Sequence, residues 1–119
     1  MPIRRGQVFF VDLDPTVGRE IGGHKLRPVV VLSINDINSK PLVVTVVPGT
    51  KAADKPVSFR NVVVVDPTPD NGLAVHTIFQ CHQIRAIDHS RFGLRPVGSL
   101  SPADLTRVED AVKFSLGLG

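Results

Sequence analysis

The chain has 119 residues, 42% of them hydrophobic and 21% charged, with a net charge of +3 and a pI near 9.5. These are the values of one ordinary globular domain, and no apolar run approaches the roughly 20 residues that a membrane span requires, which excludes a helical membrane protein. The basic excess is uneven: residues 1–60 hold nine Lys or Arg against five Asp or Glu, and residues 61–119 hold five against six, a balance that suits an anionic partner without specifying one.

The opening residues, Met1-Pro2-Ile3-Arg4-Arg5-Gly6, carry neither the apolar segment nor the small-residue cleavage site of a secretory signal, so cytoplasmic residence is expected. They run directly into Val8-Phe9-Phe10-Val11. Further short runs rich in Val and Ile follow: Val29 to Leu32, Leu42 to Val47, Val62 to Val65, and Val75 through Ile87. Their length and β-branched content predict strands. Turn signals separate them at Asp14-Pro15, Gly22-Gly23, Asn38 to Pro41, Pro48-Gly49 and Asp66 to Gly72. Many short strands with such punctuation predict a mainly β fold, a small sandwich or barrel, in a single domain over residues 1–119. A chain this short buries a limited share of its surface, and a dimer interface would help it.

The C-terminus predicts the one long helix. Ser101 can cap it, Pro102 fits the first helical position, and Asp104 complements the helix dipole. Leu100 and Leu105 suit a hydrophobic staple, and Leu105, Val108, Val112 and Leu116 fall on one stripe. Glu109 and Lys113 are spaced as an i,i+4 ion pair outside that stripe, and Gly117 offers a stop.

Several residues could carry chemistry. Arg27 stands before Pro28 at the mouth of an apolar strand, where a fixed guanidinium could grip a phosphate bidentately or close the loop through an ion pair with Glu20 or Asp12. Thr50 follows Val-Val-Pro-Gly, and its hydroxyl could donate to a phosphate oxygen or cap a turn. Glu20 could orient the guanidinium, act as a base, or be a solvated loop carboxylate. Arg19, His24 and Lys25 lie on the same loop, and His24 could share acid-base work or be exposed without a role. Lys51 and Lys55, with Arg4 and Arg5, are candidates for tracking a phosphate chain only through their summed field. His82 could supply an acid-base function or be a strand residue.

The other histidines, His76 and His89, together with Asp88, show no metal-ligand spacing, and the lone Cys81 is expected as a small buried hydrophobe. No metal or other cofactor is expected. The chain has no Tyr, no Trp and six Phe, several in core-like strands. Base recognition is therefore expected to rely on backbone amides, Arg and Lys, and the edges of Asn and Gln.

The order of Arg5-Gly6, Val11-Asp12-Leu13-Asp14-Pro15-Thr16, Gly18-Arg19-Glu20, Arg27-Pro28-Val29-Val30-Val31-Leu32, Val46-Val47-Pro48-Gly49-Thr50 and Gln83-Ile84-Arg85-Ala86-Ile87-Asp88 resembles the MazF/PemK toxin family. The resemblance spans nearly the whole chain. It implies an SH3-like or CcdB-like small barrel with a C-terminal helix, assembled as a homodimer. It also implies the toxin of a type II toxin–antitoxin pair, an mRNA interferase that cuts single-stranded RNA without a metal through 2′-hydroxyl attack, and a partner antitoxin with an acidic C-terminal segment. By the same resemblance Arg27 matches the catalytic arginine, Thr50 the second active-site residue and Glu20 the acidic residue of the Gly-x-Glu motif.

Two departures from the commoner pattern touch that site. The Gly22-Gly23-His24-Lys25-Leu26 loop is longer than in many relatives. Gln80 and His82 stand where some relatives carry an arginine and an aspartate used in binding or chemistry, so both are RNA-binding candidates whose family roles do not transfer. Two other readings stay open: a non-enzymatic toxin of the same fold that acts on DNA gyrase, and a catalytically silent barrel that binds RNA or a partner. Gyrase-directed relatives act through a C-terminal tryptophan, which this chain lacks.

Overall fold

The structure, a computed structural model, describes residues 2–23, 25–52 and 59–119. Among them seven strands follow in chain order: β1 (Gln7–Asp12), β2 (Leu26–Val31), β3 (Val43–Lys51), β4 (Val62–Val65), β5 (Thr77–Gln80), β6 (Arg85–Asp88) and β7 (Gly98–Ser99). A one-turn helix, α1 (Asn35–Asn38), precedes β3, and α2 (Pro102–Ser115) closes the fold. The predicted Val75–Ile87 strand is broken by a 3₁₀ turn at Cys81–Gln83, which separates β5 from β6.

All pairings are antiparallel, in the order β4-β5-β3-β2-β1-β7 with β6 also on β3. β3 is the hinge of this arrangement. Its first half runs between β6 and β2, while Gly49, Thr50 and Lys51 pair with Phe79, Ile78 and Thr77 of β5. The change of partner curls the sheet into a half-barrel.

This hand-off corrects the reading of Pro48-Gly49 as a turn, because both residues lie inside β3. Pro48 brings no N–H to the ladder where β3 leaves β2, a position a strand proline tolerates. At Gly49 a Cβ would lie 2.8 Å from Thr77 Cγ2 and 3.1 Å from Phe79 Cδ1. The residue is glycine because β5 crosses too closely for a side chain.

Strand alternation splits the apolar residues into two cores. Val8, Val30, Val47, Val63, Val65 and Phe79 face α2, where Val108, Ala111 and Val112 meet them. Phe9, Val11, Val29, Val31, Val44, Val46 and Ile87 face the other way, toward Leu13 and Ile21 of the β1–β2 loop. Ring packing of Phe9 edge-on against Phe92, 5.0 Å between centroids, extends this second core.

Ser101 caps α2 by accepting from the Asp104 N–H at 3.1 Å, with Pro102 in the first turn. Two helix expectations are corrected. Glu109 pairs with Arg5 rather than Lys113, because Arg5 is held beside it by its own Nε, which donates to the Leu32 carbonyl at 2.9 Å. Leu116 is exposed, since the helix ends at Ser115 and Gly117 turns the chain with φ +70°; Ala111 takes the vacant place in the buried stripe. Among the described residues no helix is long and apolar enough to cross a membrane.

Candidate active site and RNA-facing groove

The loop between β1 and β2 covers the second core, and side chains from distant elements tie it down through its carbonyl groups. Arg85 Nη1 donates to Leu13 O at 3.2 Å, and Arg91 Nη1 donates to Asp12 O at 2.8 Å and Asp14 O at 2.7 Å. The Gln83 amide reaches the loop twice: its Oε1 accepts from Ile21 N–H at 2.8 Å and its Nε2 donates to Arg19 O at 3.1 Å. Within the loop Asp14 Oδ1 accepts from Thr16 Oγ1 at 2.8 Å and from Gly23 N–H at 3.2 Å. A Cβ at Gly22 would fall 2.4 Å from Thr16 Oγ1 and 2.5 Å from Asp14 Oδ1, so this close approach requires glycine.

The tight fold at Gly22 places its carbonyl where Arg27 Nε donates to it at 2.8 Å. Arg27 lies on β2, opposite Val11 of β1, and shares a face with Val29 and Val31 by strand alternation. The neighbouring ladder pairs Val31 with Val46 and Val29 with Pro48 and ends there; by strand alternation Thr50, two residues beyond Pro48 on β3, falls on the same side of its strand as Val46. Arg85 pairs with Val46 and Ile87 with Val44, so Arg85 shares the same face. Arg27 and Arg85 thus stand on the apolar face that the loop covers, and Thr50 follows on the same side of β3 past the point where that strand changes partner.

Of the five N–H donors of its guanidinium, Arg27 spends Nε–H on Gly22, and its terminal nitrogens have no protein partner among the described residues. The ion pair to Glu20 or Asp12 does not form. Glu20 Oε1 accepts from Val17 N–H at 3.1 Å, and Asp12 Oδ1 accepts from Asp14 N–H at 2.9 Å. One oxygen of each carboxylate is engaged by its own turn, and the guanidinium is oriented by a neutral carbonyl, with no carboxylate partner among the described residues.

The remaining candidates divide among three hollows. Arg19 and Glu20 face Pro48, His82, Gln83 and Arg85 across a cavity of about 650 Å³. Gln80 and His82 border a second hollow of about 320 Å³ with Phe59 and Asn61. Arg27 and Lys51 border a third, of about 200 Å³, beside Phe10 and Val75. Lys25 is exposed just before β2. His24 and Lys55 lie outside the described residues.

Cys81 is fully buried, and burial pushes its thiol up to about 12, so it stays protonated and inert as expected. Asp88 is held below the usual carboxylate range, first by the Ser90 hydroxyl, then by the Ser90 N–H, with the charges of His89 and Arg91 adding to both. This carboxylate caps the 3₁₀ turn at His89–Arg91 and lies away from the loop-covered face.

Sequence reasoning missed Arg85 and Gln83 as members of the site and Asn61 as a neighbour of His82. The signal for Arg85 was available, since it alternates with Ile87 and so puts a charge on the apolar face of a four-residue strand. Nothing local marks Gln83, whose two partners on the loop lie more than 60 residues away.

The chain matches the family described as PemK-like, MazF-like toxin of type II toxin–antitoxin systems over residues 4–116. It is 37% identical to endoribonuclease MazF9 of Mycobacterium tuberculosis over 121 residues, covering 98% of each chain. It is 31% identical to endoribonuclease EndoA of Bacillus subtilis, covering 99% of this chain and 97% of that one. Its fold is similar to the crystal structure of MazF from Deinococcus radiodurans, with a TM-score of 0.79, 21% identity and 98% of each chain covered. It is similar in the same way to an endoribonuclease in complex with its cognate antitoxin from a mycobacterial species, with a TM-score of 0.76, 23% identity and 98% and 97% covered. The half-barrel, the order of its motifs and these matches across its full length agree: the chain belongs to the PemK-like, MazF-like toxin family of type II toxin–antitoxin systems.

Proposed function

We propose that this protein is a cytoplasmic toxin that cleaves single-stranded RNA without a metal, with Arg27 at the centre of the reaction. The observation that carries this reading is the state of Arg27: anchored through Nε to Gly22 O at 2.8 Å, with its terminal nitrogens unengaged by protein and on the same face as Thr50. A guanidinium fixed at one end and open at the other is suited to a phosphate whose negative charge grows in the transition state.

In this mechanism the 2′-oxygen of one nucleotide attacks the adjacent phosphorus, the P–O5′ bond breaks, and a 2′,3′-cyclic phosphate and a 5′-hydroxyl result. Arg27 and the Thr50 hydroxyl donate to the nonbridging oxygens. The second oxygen of Glu20, which has no protein partner among the described residues, accepts the proton lost by the 2′-hydroxyl, and the departing O5′ takes up a proton from solvent to leave as the 5′-hydroxyl. Arg19, Lys25, Lys51, Gln80 and His82, with His24 and Lys55, hold the strand on either side.

The same basic face suits an antitoxin with an acidic tail, which would occupy the phosphate positions and block cleavage. The protein acts as a homodimer, as a chain of this size with exposed Leu, Val and Phe side chains favours.

The test is cleavage of a long single-stranded RNA in excess EDTA by the wild type and by Arg27→Ala, with the fragment ends mapped chemically. Discrete fragments ending in cyclic phosphate from the wild type alone are expected. Intact RNA in both lanes would overturn the enzymatic reading, and equal cleavage in both would overturn the role of Arg27.

A further inference from the structure

We infer that the hollow between β4, β5 and the 3₁₀ turn is a nucleobase-binding subsite, in which an unpaired base stacks on Phe59 beside Asn61 and His82. The inference rests on the RNA reading above and adds to it a stacking residue that composition had argued against.

The two fully core-like phenylalanines are Phe9 and Phe79, at 3% and 0% exposure, whereas Phe59 is 67% exposed. Its ring is therefore open to a ligand at the edge of the hollow it borders. Around it the hollow of about 320 Å³ has an apolar floor, Val62 and Ile78, and a polar rim, Asn61, Gln80 and His82. Val62 opposes Gln80, and Val64 opposes Ile78, which in turn opposes Thr50, so floor, rim and Thr50 share one face of β3, β4 and β5. An apolar floor with an aromatic wall and amide edges is the chemistry of a base site: a π-face to stack on and donors and acceptors for the base edge.

The rim is ordered by its own hydrogen bonds. Asn61 Nδ2 lies 2.7 Å from His82 Nδ1, and Gln80 Oε1 accepts from Gln83 Nε2 at 3.3 Å. With the Asn61 amide donating, Nδ1 is the acceptor and the ring proton sits on Nε2, so His82 can offer a donor to a ligand. Asn61 keeps its carbonyl oxygen as an acceptor. His82 also lines the 650 Å³ cavity with Arg19, Glu20 and Arg85, which joins the two hollows into one path for a strand.

The occupant is a base and not a phosphate, because no Lys or Arg lines this hollow among the described residues. Sequence neighbours of the base would lie in the larger, charged cavity.

The absence of Trp and Tyr from the chain makes the test direct. Phe59→Trp installs a single indole at the site. Titration of this variant with a mixed-sequence single-stranded RNA dodecamer is expected to quench its emission saturably, while an abasic ribose-phosphate dodecamer at the same ionic strength leaves it unchanged. The double variant Arg27→Ala, Phe59→Trp should reach the same quench at saturation, at a higher RNA concentration and with the strand uncut, so failure of the cleavage reading and failure of this site are separable. Phe59→Ala should bind the dodecamer roughly tenfold more weakly, the scale of one base–aromatic stack. Phe59→Leu, which keeps apolar bulk, should restore little.

Absence of quenching, or equal quenching by the abasic strand, would overturn the subsite. So would an emission insensitive to RNA that shifts with protein concentration, since the ring would then be covered by a second copy of the chain.

Discussion

The two faces of the β1–β2–β3 sheet are built from the same strands and covered in opposite ways. On one face Val8, Val30 and Val47 are sealed by α2 through Val108, Ala111 and Val112. On the other, Val11, Val29 and Val46 lie under a loop held by Arg85, Arg91 and Gln83 through hydrogen bonds to its backbone. Apolar burial is nondirectional and tolerates no charge; backbone hydrogen bonds are directional and leave donors over. The sheet thus puts its sealed core on the helix face and the proposed reactive groups on the loop face, and mutations should separate the two.

The largest effect should come from the helix face. Phe79→Ala removes a fully buried ring that also packs on the Gly49 crossing, and should lower unfolding free energy by about 3–5 kcal/mol in a urea titration. At temperatures where the variant stays folded, its cleavage rate should stay near that of the wild type. A rate that collapses with stability intact would show that the two faces are not separable.

Next in size is the reverse case. Arg27→Ala should lower the cleavage rate by roughly 10²–10³, about 2.7–4 kcal/mol of barrier and the usual scale for one donor to a developing oxyanion. The urea midpoint should hardly move, because the side chain contributes one hydrogen bond to a loop carbonyl. Arg27→Lys should rescue little, since a point charge cannot both hold Gly22 O and present a fork.

A smaller effect should follow from Gln83→Leu, which keeps volume and removes both ties to the loop. The Ile21 amide should exchange with solvent faster, and cleavage should fall by about ten- to a hundredfold as Gly22 O, and with it Arg27, loses its fixed position. Unchanged exchange at Ile21 would assign the loop's order to Arg85 and Arg91 instead.

The helix-backed half was legible in the sequence because its signals are local. The Val runs, the Ser101-Pro102 start of α2 and the stop at Gly117 each depend on a few neighbouring residues, and all appear where expected. The site was legible only in part. Arg27 and Thr50 stood out beside Pro28 and Pro48-Gly49, but the side of the sheet each takes depends on a β2–β3 register that neither segment encodes alone. Glu20 was read as a partner of Arg27 because the two are close in sequence, yet its carboxylate turns to Val17 N–H within the same turn. Arg85, Gln83 and Asn61 gain their roles from contacts 21 to 72 residues away. Pro48-Gly49 misled because residues that make turns in isolation also suit a strand that changes partners.

The boundary between the two faces passes through Cys81 and His82, adjacent residues of one 3₁₀ turn that point into the core and into the groove. Cys81 offers the smallest test of the comparison, through pH. Its thiol keeps its proton up to about 12 in the fold, whereas the ordinary thiol value is 9.0. Above pH 9 the unfolded chain therefore binds fewer protons than the folded one, so stability falls as pH rises; the contribution of the neutral thiol is complete below 9 and is lost toward 12. The slope cannot exceed about 1.4 kcal/mol per pH unit. Cys81→Ala removes the titrating group at the cost of a small cavity and leaves every other alkaline titration in place. The stability difference between wild type and variant should thus shrink by about 1 kcal/mol between pH 8 and pH 10. A constant difference would mean that solvent reaches the thiol, and that the helix-backed core is open at the turn where it meets the groove.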